Sequence, residues 1–274
     1  MRRRAVLCLL FLAAAACGGC GGHYILTVPD QVASAGGETA AVVRLQRNDF
    51  FVLSPPVKAA AMRFRVADGP LRGAYTGKLG YAGATVVVPK EPGRYVLNVA
   101  HLDIYGDEVI REAPTYVWAP DRAVVAIDLD SLPGLWLGSS KEAARALRRL
   151  AEQASLVYLT RRSTRRHADT HRDISRAGYP DGPILLWRRQ RWHIVRDGRL
   201  RLPRVVVESR LVSQLDELRK VFANLTTGVS RSRLAAKAFA EAGLDCVVVG
   251  SARLTVPTKV TYRANWAELA EMGL

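Results

Sequence analysis

Asp128 and Asp130 close the apolar run Val124-Val125-Ala126-Ile127, which reads as a strand delivering two carboxylates to its C-terminal end. Side chains alternate along a strand, so residues two apart are expected on the same side. The crevice beyond the carboxyl ends of parallel strands is where open α/β sheets hold their ligands. A carboxylate pair placed there supports two kinds of chemistry. It can hold a hard divalent cation through oxygen, and one member can attack as a nucleophile while the other moves protons. The same residues also read as an ordinary strand running into a turn, where Asp and Ser are common.

Two other groups have chemistry-bearing spacing. His167 and His171 lie four apart in a helical stretch and can share a metal, but Ala168 follows the first where a His-Glu-x-x-His site has Glu. Asp169 and Asp173 are expected to offset nearby arginines instead. Arg161, Arg162, Arg165, Arg166, Arg172 and Arg176 form a cluster denser than an ordinary solvated helix face. Guanidinium groups grip phosphate and carboxylate bidentately, so an anionic headgroup or phosphate is one reading of this cluster and a solvated face is the other.

The elements that must position these residues fall into two halves. From residue 24 to 120 strand signals recur with turn residues between them, and the expected fold is an all-β, immunoglobulin-like sandwich. Candidate strands there are 24–28, 40–45, 62–66, 84–88, 95–100 and 115–118. Pro120 marks a change of pattern. From 121 to 274 strands alternate with helices: strands 124–128, 156–160, 184–187, 225–229 and 246–249, helices 141–153, 163–177, 209–222, 231–242 and 265–272, and a hairpin insertion turning at Asp197-Gly198. Repeated strand-helix units imply a mostly parallel sheet with helices on both faces, and the ends of its strands at 128, 160 and 229 should meet in one cleft.

Residues 1–16 belong to neither half. Arg2-Arg3-Arg4, then the apolar run Ala5 to Ala16, have the form of a secretory signal. Ala14-Ala15-Ala16 before Cys17 is similar to a lipoprotein processing site, so Cys17 is the expected lipidation point and the bacterial cell envelope the expected location; plain secretion is the other reading. Residues 17–23 are a Gly-rich tether. The mature chain carries 258 residues and a net charge of +12, with 33 arginines among all 40 basic residues of the sequence. That bias suits an anionic partner, and equally a GC-rich genome. No nucleic-acid motif is visible. The four cysteines have no disulfide or zinc spacing, and Cys246 in Cys246-Val247-Val248-Val249 is expected as a buried thiol.

With this order in view, Ala126-Ile127-Asp128-Leu129-Asp130-Ser131-Leu132 resembles the first motif of the haloacid-dehalogenase superfamily. Val157-Tyr158-Leu159-Thr160-Arg161-Arg162 resembles its second. The turn Gly178-Tyr179-Pro180-Asp181-Gly182-Pro183 is similar to one branch, the lipin-type phosphatidate phosphatase domain of exported bacterial proteins. The resemblance spans roughly 121–252 and implies a three-layer α/β domain and a phosphohydrolase. It assigns Asp128 as nucleophile, Asp130 as acid-base, and both as ligands of Mg²⁺. Thr160 and the backbone at Arg161 would cradle the phosphoryl group, with Arg161, Arg162 and Arg165 around the substrate. Arg210 is the residue nearest the family's phosphoryl-screening Lys.

The chain departs from that family pattern. Leu132 stands where Thr is usual, and the run that completes the metal site reads Ser230, Arg231 and Ala235, without its two carboxylates. Arg231 is therefore expected to pair with Asp128 or Asp130 and close the site. A degenerate, non-catalytic module binding phosphate or anionic lipid headgroups is the alternative to the phosphatase.

Overall fold

The computed structural model describes residues 24–48, 54–103, 106, 108–133, 141–162, 166–197, 200–209, 211–250 and 260–270, with side chains left aside from 188 to 209. Cys17, Arg165 and Arg210 lie outside the described residues.

Among the described residues, eight strands build the first half: β1 (Tyr24–Thr27), β2 (Gln31–Ser34), β3 (Glu38–Arg47), β4 (Ala61–Val66), β5 (Arg72–Tyr75), β6 (Tyr81–Val87), β7 (Gly93–Leu102) and β8 (Glu108–Trp118). They form two sheets, ordered β1-β3-β6 and β2-β8-β7-β4-β5. Pairing is antiparallel throughout except where β2 runs parallel to β8. In β4 burial alternates strictly, with Met62, Phe64 and Val66 inward and the residues between them exposed. They meet Val43, Leu45, Val86, Leu97, Val99 and Val117 in a single core between the sheets.

The second half is a three-layer α/β unit. Its strands are β9 (Val124–Asp128), β10 (Ser155–Thr160), β11 (Ile184–Leu186), β14 (Leu225–Ser230), β15 (Asp245–Val249) and β16 (Val260–Arg263); a hairpin of β12 (Arg188–Asp197) and β13 (Leu200–Ser209) follows β11. The sheet order β11-β10-β9-β14-β15-β16 is parallel at every pairing. This is the doubly wound order, in which the chain first builds outward from β9 in one direction and then in the other. The point of reversal lies between β9 and β14.

Helices cover both faces: α1 (Lys141–Gln153), α2 (His167–Arg176), α3 (Leu211–Val221), α4 (Arg233–Glu241) and α5 (Trp266–Ala270). In α1 the apolar positions Ala143, Leu147 and Leu150 recur at helical spacing and are buried, while Arg145, Arg148 and Arg149 face out. Val125 and Ile127 of β9 point to the layer holding α1, α2 and α5, whereas Val124 and Ala126 point to α3 and α4. Both α2 and α4 end at a left-handed glycine. Gly178 (φ +70) and Gly243 (φ +72) allow Tyr179 and Leu244 to donate back to Ile174 and Phe239, the closing bonds of a Schellman turn. The Pro-x-Gly-Pro turn is fixed by packing. A Cβ on Gly182 would meet the Leu156 carbonyl at 2.6 Å, and the Tyr158 hydroxyl donates to the Pro180 carbonyl at 2.8 Å.

The halves join closely. Trp118 packs on Phe222 with ring centroids 5.3 Å apart, the Tyr116 hydroxyl donates to Asp181 at 2.9 Å, and Asn224 donates to the Pro120 carbonyl at 3.3 Å.

Candidate functional site at the point of strand reversal

Asp128 is the last residue of β9, and the strand does not continue beyond it. Leu129–Ser131 form a single 3-10 turn, closed by Leu132 N–H donating to Leu129 O and by the Ser131 hydroxyl donating to the Asp128 carbonyl. This corrects the expectation that both carboxylates lie on one side of one strand. The turn sends them to different neighbours. Asp128 accepts a 2.6 Å hydrogen bond from the hydroxyl of Ser230, the last residue of β14. Asp130 turns toward β10, where the Thr160 hydroxyl donates at 2.7 Å and Arg161 donates twice, from its backbone N–H at 2.8 Å and from Nε at 3.0 Å. The ends of β9, β10 and β14 do meet, and Asp128, Asp130 and Thr160 come together as the sequence implied.

Which cation faces the carboxylates differs from expectation. Arg231 is exposed, and its guanidinium lies 3.6 Å from where a Cβ on Gly250 would stand, at the end of β15. Only its backbone N–H reaches the turn, donating to the Ser131 hydroxyl at 3.1 Å. The charge beside Asp130 is Arg161, which also rests over the buried Trp187 ring at 5.7 Å. Arg231 cannot take that place because it follows the end of β14, so its side chain projects toward β15. Arg162 pairs with Asp173 at 3.0 Å, and Asp169 pairs with Arg172.

Burial pushes the Asp128 carboxyl above the usual carboxylate range; the Ser230 hydrogen bond opposes this and the charge of Asp130 adds to it. A carboxyl held toward its protonated form is a weak nucleophile. The donor set also falls short for Mg²⁺. Among the described residues no third carboxylate or imidazole joins the pair, and a dication would have to displace the Arg161 guanidinium from Asp130.

The raised Asp128 carboxyl gives a signed prediction. A group whose folded value is raised favours the fold when protonated, so the penalty is absent in acid and appears as pH rises through that raised value. Asp128→Asn retains an acceptor for Ser230 and removes the charge. We expect it to stabilise the protein near neutral pH by about 0.5–2 kcal/mol, and to lose that advantage in mild acid. Urea unfolding at the two pH values measures this; destabilisation at neutral pH would show that Asp128 is held ionised.

His167 and His171 are not at this site. They face Asp30 of the sandwich across the seam between the halves. The sequence placed Ser230 in the run that completes the family's metal site, as a position lacking its carboxylate, but did not mark it as the hydrogen-bond donor to Asp128. Asp30 has no signal in the sequence, since its partners lie 137 and 141 residues away. Cys246 is buried and its thiol is pushed up to about 12 by burial, as an inert core residue.

No family model and no curated protein matches the chain. Among solved structures, it is similar to the D0-D1 domain of intimin, with 18% identity over 34% of this chain and 46% of that one and a TM-score of 0.25. The adhesin InvE of Yersinia pseudotuberculosis gives 18% identity over 40% and 34%, with a TM-score of 0.29. A 2,6-sialyltransferase of Photobacterium sp. JT-ISH-224 gives 9% identity over 80% and 41%, with a TM-score of 0.22. The chain spans less than half the length of each, and all three scores lie below the level at which two chains share an overall fold.

Proposed function

We propose that the chain is an exported, lipid-anchored protein. Its second half is a haloacid-dehalogenase-like module that binds phosphate-bearing anionic headgroups without hydrolysing them, and its first half is an immunoglobulin-like spacer. The observation that carries this reading is the position of Asp130. The Thr160 hydroxyl and the Arg161 N–H, which the resemblance assigns to a phosphoryl group, are both spent on the Asp130 carboxylate. An acid-base residue held there by a guanidinium is poorly placed to serve a leaving group. The raised Asp128 carboxyl and the missing metal carboxylates support the same conclusion.

An anionic partner is supported by a groove between α1 and α2, lined by Lys141, Arg145, Arg149 and Arg176 with Glu152 as its acidic member. Guanidinium groups there can pair bidentately with phosphate. Membrane attachment would come from lipid on Cys17; among the described residues no helix is long and apolar enough to cross a membrane.

A hydrolase remains the second reading because Asp128, Asp130 and Thr160 do converge at the point of strand reversal. One experiment separates the two. The purified chain with Mg²⁺ is assayed for phosphate release from phosphatidate, and its retention on phosphatidate vesicles is measured against Arg145→Ala/Arg149→Ala. We expect no release, and retention that falls at least tenfold in the double variant. Release abolished by Asp128→Asn would establish the hydrolase instead, and retention unchanged by the double variant would remove the groove from the account.

A further inference from the structure

His167 and His171 stand one turn apart at the start of α2, so helical geometry puts both rings on one face. Both direct Nε2 at the same carboxylate, at 2.6 Å to Oδ1 and 2.9 Å to Oδ2 of Asp30, with their rings edge to face at 5.0 Å. Asp30 comes from the turn between β1 and β2, and its side chain is entirely withdrawn from solvent. The Ile184 N–H of β11 donates to its Oδ2 at 2.7 Å and fixes the plane of the carboxylate. One ligand atom from each of the three side chains lies within 4.8 Å of the others.

We propose that Asp30, His167 and His171 bind one first-row divalent cation of the zinc class, which clamps the sandwich to the α/β domain. Two imidazoles and one carboxylate are a donor set suited to zinc and its neighbours and poorly suited to Mg²⁺. Bonds of about 2.0–2.2 Å in a tetrahedral site separate ligand atoms by roughly 3.4 Å. The present contacts fall short of that by less than about 1 Å, a gap that side-chain rotation can open without moving the backbone. On binding, each imidazole presents an unprotonated Nε2 and keeps its proton on Nδ1; any additional proton leaves to solvent. Water or an anion completes the fourth position.

The outer shell is half built. Ile184 orients Asp30, while His167 Nδ1 is buried without a hydrogen-bond partner. A missing outer partner typically lowers affinity ten- to a hundredfold, which sets the expected dissociation constant at about micromolar. The rings retain 15% and 24% side-chain exposure, leaving a route from solvent for the ion. This inference is independent of the phosphate-binding reading, because it uses none of the residues at the strand-reversal point or lining the groove between α1 and α2.

The test uses the full chain carrying Cys17→Ser and Cys20→Ser, so that tether thiols do not compete, stripped with a chelator and titrated calorimetrically with zinc chloride. The expected result is one equivalent bound, no heat with magnesium chloride, and affinity reduced at least a hundredfold in His171→Gln and in His167→Gln. Cobalt chloride should give the visible bands of a four-coordinate site. Uptake below half an equivalent, or uptake by His167→Gln and His171→Gln equal to that of the parent chain, would mean the cluster is a hydrogen-bonded contact only. Should the variants fail to fold, the cobalt spectrum of the parent chain decides, and absence of four-coordinate bands overturns the proposal.

Discussion

Replacing Asp30 by Ala in chelator-treated protein is expected to destabilise it by about 3–5 kcal/mol, the range for removing one member of a buried charged contact. The side chain is fully buried and accepts from His167, His171 and the Ile184 N–H. Burial alone would push its carboxyl up, but the hydrogen bonds and charges of the two histidines outweigh burial and draw it below the usual range. The fold therefore favours the ionised form. Ala would leave two imidazoles and a backbone N–H facing a small void. Because the donors belong to the α/β half and the acceptor to the sandwich, the loss should appear as undocking as well as a lower urea midpoint. Faster proteolytic cleavage between Trp118 and Val124 measures the undocking. An unchanged midpoint with unchanged cleavage would show that the seam is held by Trp118 on Phe222 and the Asp181 contacts alone.

Gly228→Ala is the second large effect. A Cβ there would lie 2.5 Å from Cγ and Cδ2 of Phe239 and 3.1 Å from its Cβ. Phe239 is fully buried and cannot swing clear. Overpacking of this kind costs about 1–3 kcal/mol and sometimes more; with a close approach to three ring-side atoms we expect about 3 kcal/mol, or roughly 6–12 °C in Tm. The consequence reaches Asp128, because β14 must shift from β9 and Ser230 rides on it two residues away. Phe239→Leu added to Gly228→Ala should recover part of the loss, a coupling that a double-mutant cycle reads directly. Additive losses would place the strain elsewhere.

How far the sequence could be read is clearest strand by strand. Val124 to Ile127 announced β9 because a strand buried on both faces reads as a continuous apolar run. Lys141–Gln153 was equally legible from the helical spacing of its apolar residues. Three strands escaped: β2, β5 and β16 are four residues each, and β5 has no buried position to create alternation. The hairpin was legible, with arms running over Arg188–Asp197 and Leu200–Ser209; its expected turn at Asp197-Gly198 lies partly outside the described residues. At the site, residue types near the strand ends were visible, but their pairing was not. Whether Arg161 or Arg231 meets Asp130 depends on a 3-10 turn and on which neighbouring strand each side chain faces. Neither is encoded in local periodicity.

Asp130 is tied to its hydroxyl and amide donors by only a few rotatable bonds, so it competes for them as an intramolecular ligand. A tethered group of this kind acts at an effective concentration that free anions in solution do not reach. Inorganic phosphate at ordinary concentrations should leave that incumbent undisturbed, and only a visitor with additional points of attachment elsewhere on the protein would evict it.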